Sequence, residues 1–177
     1  MGLAQKYLPY YTYDDYYQWE GNWELIYGVP YAMSPTPVRK HQEINGKILI
    51  QLSQKLENCP KCQAFMPLDW IISDDTVVQP DVSVICGKFT DDFLKFPPSL
   101  IFEILSPKTK DKDREIKYEI YQSQGVKYYV IVDKDEQQIE VFVLKNKKYV
   151  KALETKNEHF TFELGDCKFD FDFRKVW

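Results

Sequence analysis

The sequence predicts an α/β fold: a central mixed β-sheet flanked by α-helices, with additional strands toward the N- and C-termini. Three observations predict it. Apolar and aromatic runs of strand length recur along the chain, and 13 Tyr and 11 Phe enrich them. In the segment 38–57, Ile44, Ile48, Leu52 and Leu56 repeat every four residues, which gives a helix an apolar stripe. The elements then alternate in the order helix, three strands, helix and further strands. At 177 residues the chain is expected to form a single domain, 1–177, with a sizeable core.

In chain order, "TYDDYYQWE" reads as a short helix with Thr12 at its N-cap. "NWELIYGVPYAM", 22–33, reads as a hairpin. "SPTP" breaks the chain before the long helix. The segments "AFMPLDWIIS", "TVVQPDVSVIC" and "PSLIFEILS" follow as strands, the last two separated by the loop "GKFTDDFLKFPP". The polar run "PKTKDKDRE" leads into a helix at about 111–124, and Gly125 stands where a C-cap belongs. "KYYVIVD" is a strongly apolar strand, and "QIEVFVLK" is its hairpin partner across "KDEQ". The tail "HFTFELGDCKFDFDF" alternates Phe with polar residues and reads as one or two edge strands.

Hydrophobic residues at 44% exclude a disordered chain, and a net charge of -4 argues against a basic, non-specific nucleic-acid coat. The N-terminus lacks the apolar core of a signal peptide, and no apolar run reaches the length of a membrane span. "MGLAQK" also lacks the hydroxyl residue that favours myristoylation. A cytoplasmic protein is the expectation. Cys59 and Cys62 form "CPKC", whereas Cys86 and Cys167 stand alone in the sequence. With no second pair at ribbon spacing, free thiols are the expected state and a zinc module on Cys59 and Cys62 the lesser alternative.

Glu103, inside "SLIFEILSPKT", is the residue that demands a function. A carboxylate in an apolar strand is costly unless it is paired or bound to a metal. Asp81, in "QPDVSVIC", precedes an apolar run and so sits near one end of the preceding strand. If the two strands pair, Asp81 and Glu103 converge, and two close carboxylates call for a proton or a cation between them. Mg²⁺ fits, because it takes one or two carboxylates together with water and phosphate oxygens. The main competitor is a buried salt bridge from Glu103 to a lysine.

The helix after Glu103 supplies cations. Ile116 and Ile120 mark its expected buried stripe, and Asp113, Lys117 and Gln124 fall on or beside it. Lys117 is therefore placed to help activate water or stabilise a phosphoryl transition state. A lysine covering the core with its stem is the plainer alternative. Lys108, Lys110, Lys112 and Arg114 form either a phosphate-contacting edge or a solvated helix entry, partly neutralised by Asp111, Asp113 and Glu115. His41 and Asn45 share the side of Ile44 and Ile48, whereas Glu43 lies nearly opposite, in solvent. His41 reads as a packed or capping group or, alternatively, as a site residue. Glu24, in "WELIYG", is an additional ligand or an edge-facing carboxylate.

Taken together, "WELIYG", "HQEI", "QPDVSVIC", "FEILSPKT" and "DREIKYEIYQSQGVKYYVIVD" resemble the Uma family of restriction-endonuclease-like proteins, over about Tyr13 to Leu144. The order of the five motifs carries the resemblance. It implies the PD-(D/E)XK nuclease superfamily, a restriction-endonuclease-like core and an Mg²⁺-dependent phosphodiesterase site, with Mn²⁺ as a substitute. Pro80 and Asp81 match the "PD" element, and Glu103 matches "(D/E)". The usual lysine position is occupied by Leu105, and Lys117 matches a lysine that recurs in the family on the following helix. His41 and Glu24 match family landmarks too. The resemblance implies Asp81, Glu103 and the backbone carbonyl of Ile104 as metal ligands, with Lys117, His41 and Glu24 lining the site. It implies nucleic acid, chiefly DNA, as substrate; a catalytic domain this small is expected to act as a homodimer to cut both strands. The alternative is a non-catalytic binding protein in which the carboxylates and Lys117 form a structural ion-pair network.

Overall fold

The computed structural model describes residues 8–33 and 38–177. They form two compact units, one built from 8–33, 69–79 and 91–96, the other from 38–68, 80–90 and 97–177. The "SPTP" break lies outside the described residues. Among the described residues no helix is long and apolar enough to cross a membrane.

The elements in chain order begin with α1 (Tyr13–Tyr16), β1 (Trp23–Ile26), β2 (Val29–Ala32) and α2 (Arg39–Leu56). Then come β3 (Cys62–Phe65), β4 (Trp70–Ser73), β5 (Thr76–Val78), β6 (Val82–Cys86) and β7 (Leu100–Ile104). A π-helical stretch (Lys112–Lys117) runs directly into α3 (Tyr118–Ser123). β8 (Tyr128–Asp133), β9 (Gln138–Lys145), β10 (Lys148–Thr155), β11 (His159–Leu164) and β12 (Cys167–Asp172) complete the strands, before a 3-10 turn (Phe173–Val176).

The first unit is a four-stranded sheet in the order β2-β1-β5-β4. The expected hairpin of β1 and β2 is present, turned by Tyr27 and Gly28 at φ 51° and 76°. Two consecutive left-handed residues match the turn to the right-handed strand twist. Asp15 Oδ2 accepts the Thr12 backbone N–H at 2.9 Å and so secures the start of α1.

The second unit carries the large sheet, in the order β10-β9-β8-β7-β6-β3. Its pairs are antiparallel except β7 with β8, which are parallel and joined by the helical crossover. The apolar stripe of α2 (Ile44, Ile48, Leu52 and Leu56) packs in one core cluster with Val84, Phe102, Val130 and other inward residues of the sheet. β11 and β12 form a separate hairpin rather than edge strands of the large sheet. Their alternating Phe162, Phe169 and Phe171 enter the same core cluster, which is why the tail keeps its period of two.

The structure corrects several sequence expectations. "TVVQPDVSVIC" is not one strand: it divides at Gln79, Pro80 and Asp81 into β5, in the first unit, and β6, in the second. Pro80 has no N–H to give to a ladder. "AFMPLDWIIS" divides likewise, into the end of β3 and β4. β10, rich in Lys and Glu, carried too little apolar alternation to be foreseen. The cysteines are not free thiols. Cys59 is bonded to Cys167 and Cys62 to Cys86, across 108 and 24 residues, and none of the four remains unpaired. No spacing rule joins partners so far apart in the chain.

Candidate active site

The site forms where β6 begins and β7 ends. The antiparallel register pairs Val82 with Phe102 and Ser83 with Ile101. One step further, Asp81 faces Glu103. The Ile104 backbone N–H donates to Asp81 Oδ2 at 2.8 Å, so the carboxylate continues the ladder that Pro80 interrupts. On α2, His41 turns toward the same point, with Nε2 3.3 Å from Asp81 Oδ1. Its Nδ1 and Asn45 Oδ1, one helical turn on, are buried without a hydrogen-bond partner among the described residues.

Glu103 is 2% exposed, and its Oε1 accepts from Lys117 Nζ at 2.8 Å and from the Tyr121 hydroxyl at 2.6 Å. Lys117 is 1% exposed and lies 3.7 Å from Asp113 Oδ1. The Asp113 carbonyl accepts the Tyr129 hydroxyl at 2.8 Å. Burial first, then the nearby charges of Glu103 and Asp113, push the Tyr129 phenol well above its usual range, so it stays a donor.

The π-helical stretch sets these side chains. Its i→i+5 bonding shifts the helix phase away from the 100° wheel. Asp113 and Lys117 are buried, as the stripe predicted, whereas Ile116, expected on that stripe, is only half-buried and Gln124 is exposed. Leu105 is buried at 3%. Tyr121 escaped the sequence reading, although its place one helical turn after Lys117 was a usable clue.

The cationic edge is partly neutralised by acids distant in the sequence. Arg114 reaches Glu140 at 2.6 Å and Lys110 reaches Asp133 at 3.8 Å. Burial would raise the Glu140 carboxyl, but hydrogen bonds from Lys151 and Arg114 outweigh it and hold the group below its usual range. Asp133 is similar: burial raises it, and the backbone N–H groups of Glu136 and Asp135, with Lys110, bring it down. Glu43 is exposed and pairs with Arg39 and Lys47, as its solvent-facing position predicted.

Asp81, Glu103, Lys117 and His41 thus come together in the second unit, with the Ile104 amide tying Asp81 to β7. Glu24 belongs to the first unit, where it is fully buried and accepts the Gln79 backbone N–H at 2.9 Å. No group of three or more His, Cys, Asp or Glu side chains is arranged to hold a metal among the described residues.

A central mixed sheet with flanking helices and added strands is the restriction-endonuclease-like nuclease fold. A solved structure from Anabaena variabilis, titled "a putative nuclease belonging to DUF820", shares it at a TM-score of 0.76 and 17% identity, covering 93% of this chain and 96% of that one. No curated protein matches the chain. The Uma2 family, described as "Putative restriction endonuclease", matches residues 13–163. The chain belongs to that family.

Proposed function

We propose that the protein is a metal-dependent nuclease that hydrolyses phosphodiester bonds in nucleic acid, with DNA as substrate. The observation that carries this reading is Asp81 held at 2.8 Å by the N–H of Ile104, next along β7 to Glu103, whose Oε1 lies 2.8 Å from Lys117 Nζ. Two carboxylates suffice for Mg²⁺, which keeps several of its waters. His41 Nδ1 and Asn45 Oδ1, buried without hydrogen-bond partners among the described residues, are polar atoms on α2 that suit an ordered water. Asp81, Glu103 and the Ile104 carbonyl are the residues to hold Mg²⁺ or Mn²⁺. The bound ion would supply an acidified water and neutralise charge on the phosphate.

The chain's own groups do the rest. His41 and the Ile104 amide fix Asp81 from two sides. Lys117 and Tyr121 hold one Glu103 oxygen, which orients the carboxylate. Lys117 also brings a positive charge to a site where a pentavalent phosphate accumulates negative charge. Two sites in a homodimer would serve the two strands of a duplex, and sedimentation showing only monomer at micromolar concentration would remove that part. The cytoplasm is the proposed compartment.

The deciding experiment is calorimetric titration of Mn²⁺ into the wild type, Glu103→Gln and Asp81→Asn, with plasmid cleavage measured on the same samples. Metal binding and nicking by the wild type alone supports the nuclease. One observation favours a second reading. Lys117 is buried between Glu103 and Asp113, as in a structural ion-pair network. If the folded wild type takes up no metal, that network is the whole role of the cluster.

A further inference from the structure

The four cysteines, scattered at positions 59, 62, 86 and 167, converge on one place. All four line a single cavity of about 500 Å³, together with Lys61 and Asp166. Three elements bring them there. Cys59 sits in the turn between α2 and β3 and Cys62 opens β3, with the Cys62 N–H donating to the Cys59 carbonyl at 2.9 Å. Cys86 ends β6 directly opposite Cys62 in the strand register. Cys167 opens β12 beside the hairpin turn. The Gly87 N–H donates to the Lys61 carbonyl at 2.7 Å, which ties the Cys86 end to the CPKC turn.

We propose that these four residues are a switchable zinc site: two disulfides when oxidised, one tetrathiolate Zn²⁺ centre when reduced. A Cys-x-x-Cys turn with two further cysteines is the donor set of a structural zinc site. Sulfurs 2.3 Å from a tetrahedral zinc stand about 3.8 Å apart. The Cα separations of 5.5 Å for Cys59 with Cys167 and 4.0 Å for Cys62 with Cys86 allow side chains to reach that spacing. In the oxidised state every sulfur is committed to a disulfide, and no metal-binding group is available here.

The conversion balances. Two dithiol reductants deliver four electrons and four protons, both S–S bonds break, and four thiols result. Binding Zn²⁺ then releases the four protons and leaves a centre of charge -2, part of which Lys61 offsets. A reducing compartment favours the metal form, because disulfides persist poorly there and such cysteine patterns in cytosolic proteins bind metal. The site is independent of the proposed catalytic centre. Asp81 and Cys86 lie at opposite ends of β6, about 17 Å apart at strand rise.

The test uses the full-length protein, reduced anaerobically with a phosphine, its thiols counted, then titrated with Co²⁺ and Zn²⁺. Four thiols, one thiolate-bound metal per chain, and cobalt spectra with thiolate charge-transfer and tetrahedral bands are expected; the oxidised protein should show no thiolate band. Cys86→Ser, checked for folding by circular dichroism, should weaken cobalt binding at least tenfold, while Glu103→Gln should keep the thiolate bands. Reduced wild type that exposes four thiols and gives no thiolate band overturns the proposal. So does a band unchanged in Cys86→Ser.

Discussion

At the start of β6 the fold gathers charges; at its end it gathers sulfurs. Asp81 is held by the Ile104 amide, and Glu103 and Asp113 share Lys117, through hydrogen bonds and ion pairs. Cys62 and Cys86 fasten the other end of the strand covalently to β3, and Cys59 and Cys167 fasten the end of α2 to the terminal hairpin. The contrast teaches how one strand serves two purposes. A charged cluster keeps its geometry only while every partner is present, yet it can exchange partners with a metal or a phosphate. A covalent clamp requires no such partners and holds the sheet in register without taking part in chemistry at the far end.

Breaking the clamp should have the largest effect. Removing the Cys59–Cys167 bond with the double change Cys59→Ala and Cys167→Ala frees a loop of 108 residues. It should cost about 4 kcal/mol of stability, read from urea midpoints under oxidising conditions. Lys117→Met comes next, because it leaves the Glu103 carboxylate buried without its cation. A loss of about 3 kcal/mol is expected in the same urea series, and a near-wild-type midpoint would mean that Glu103 has another cationic partner.

Tyr121→Phe sharpens the functional end with less damage. It removes one donor to Glu103 and keeps the ring packed against Tyr129, 5.1 Å between centroids. Mn²⁺ affinity should fall about tenfold, as for other partners that orient a metal ligand, with thermal stability little changed. Equal metal affinity would show that Tyr121 does not orient the carboxylate.

The smallest effect is acid sensitivity at the C-terminus. Hydrogen bonds from Arg174 hold the Asp172 carboxyl down at about 2. Its folded value lies below its unfolded value near 4, so its contribution is complete above about pH 4 and is lost as pH falls toward 2. Asp172→Asn should flatten that part of the melting-temperature profile and leave the profile above about pH 5 unaltered.

Much of the site was legible before any coordinates. Glu103 stood out because a lone carboxylate in "SLIFEILS" violates its apolar surroundings. Asp81 followed from strand order and Lys117 from helical spacing. Asp113 was placed on or beside the buried stripe by the same spacing, whereas the role of Tyr121 emerged from its hydrogen bond to Glu103.

By itself the sequence determined the elements whose cause is local. Residues 39–56 form a helix because their apolar spacing has one face to bury. The β1 and β2 hairpin turns at Gly28, and the Phe-rich tail keeps a period of two. The tertiary structure alone decided what depends on distant partners. It chose which cysteines pair, divided "TVVQPDVSVIC" between two sheets, and brought His41 of α2 to Asp81. Periodicity encodes which face of a segment is buried. It carries no information about which distant residue meets that face, because the pairing is settled by packing among segments that are far apart in the chain.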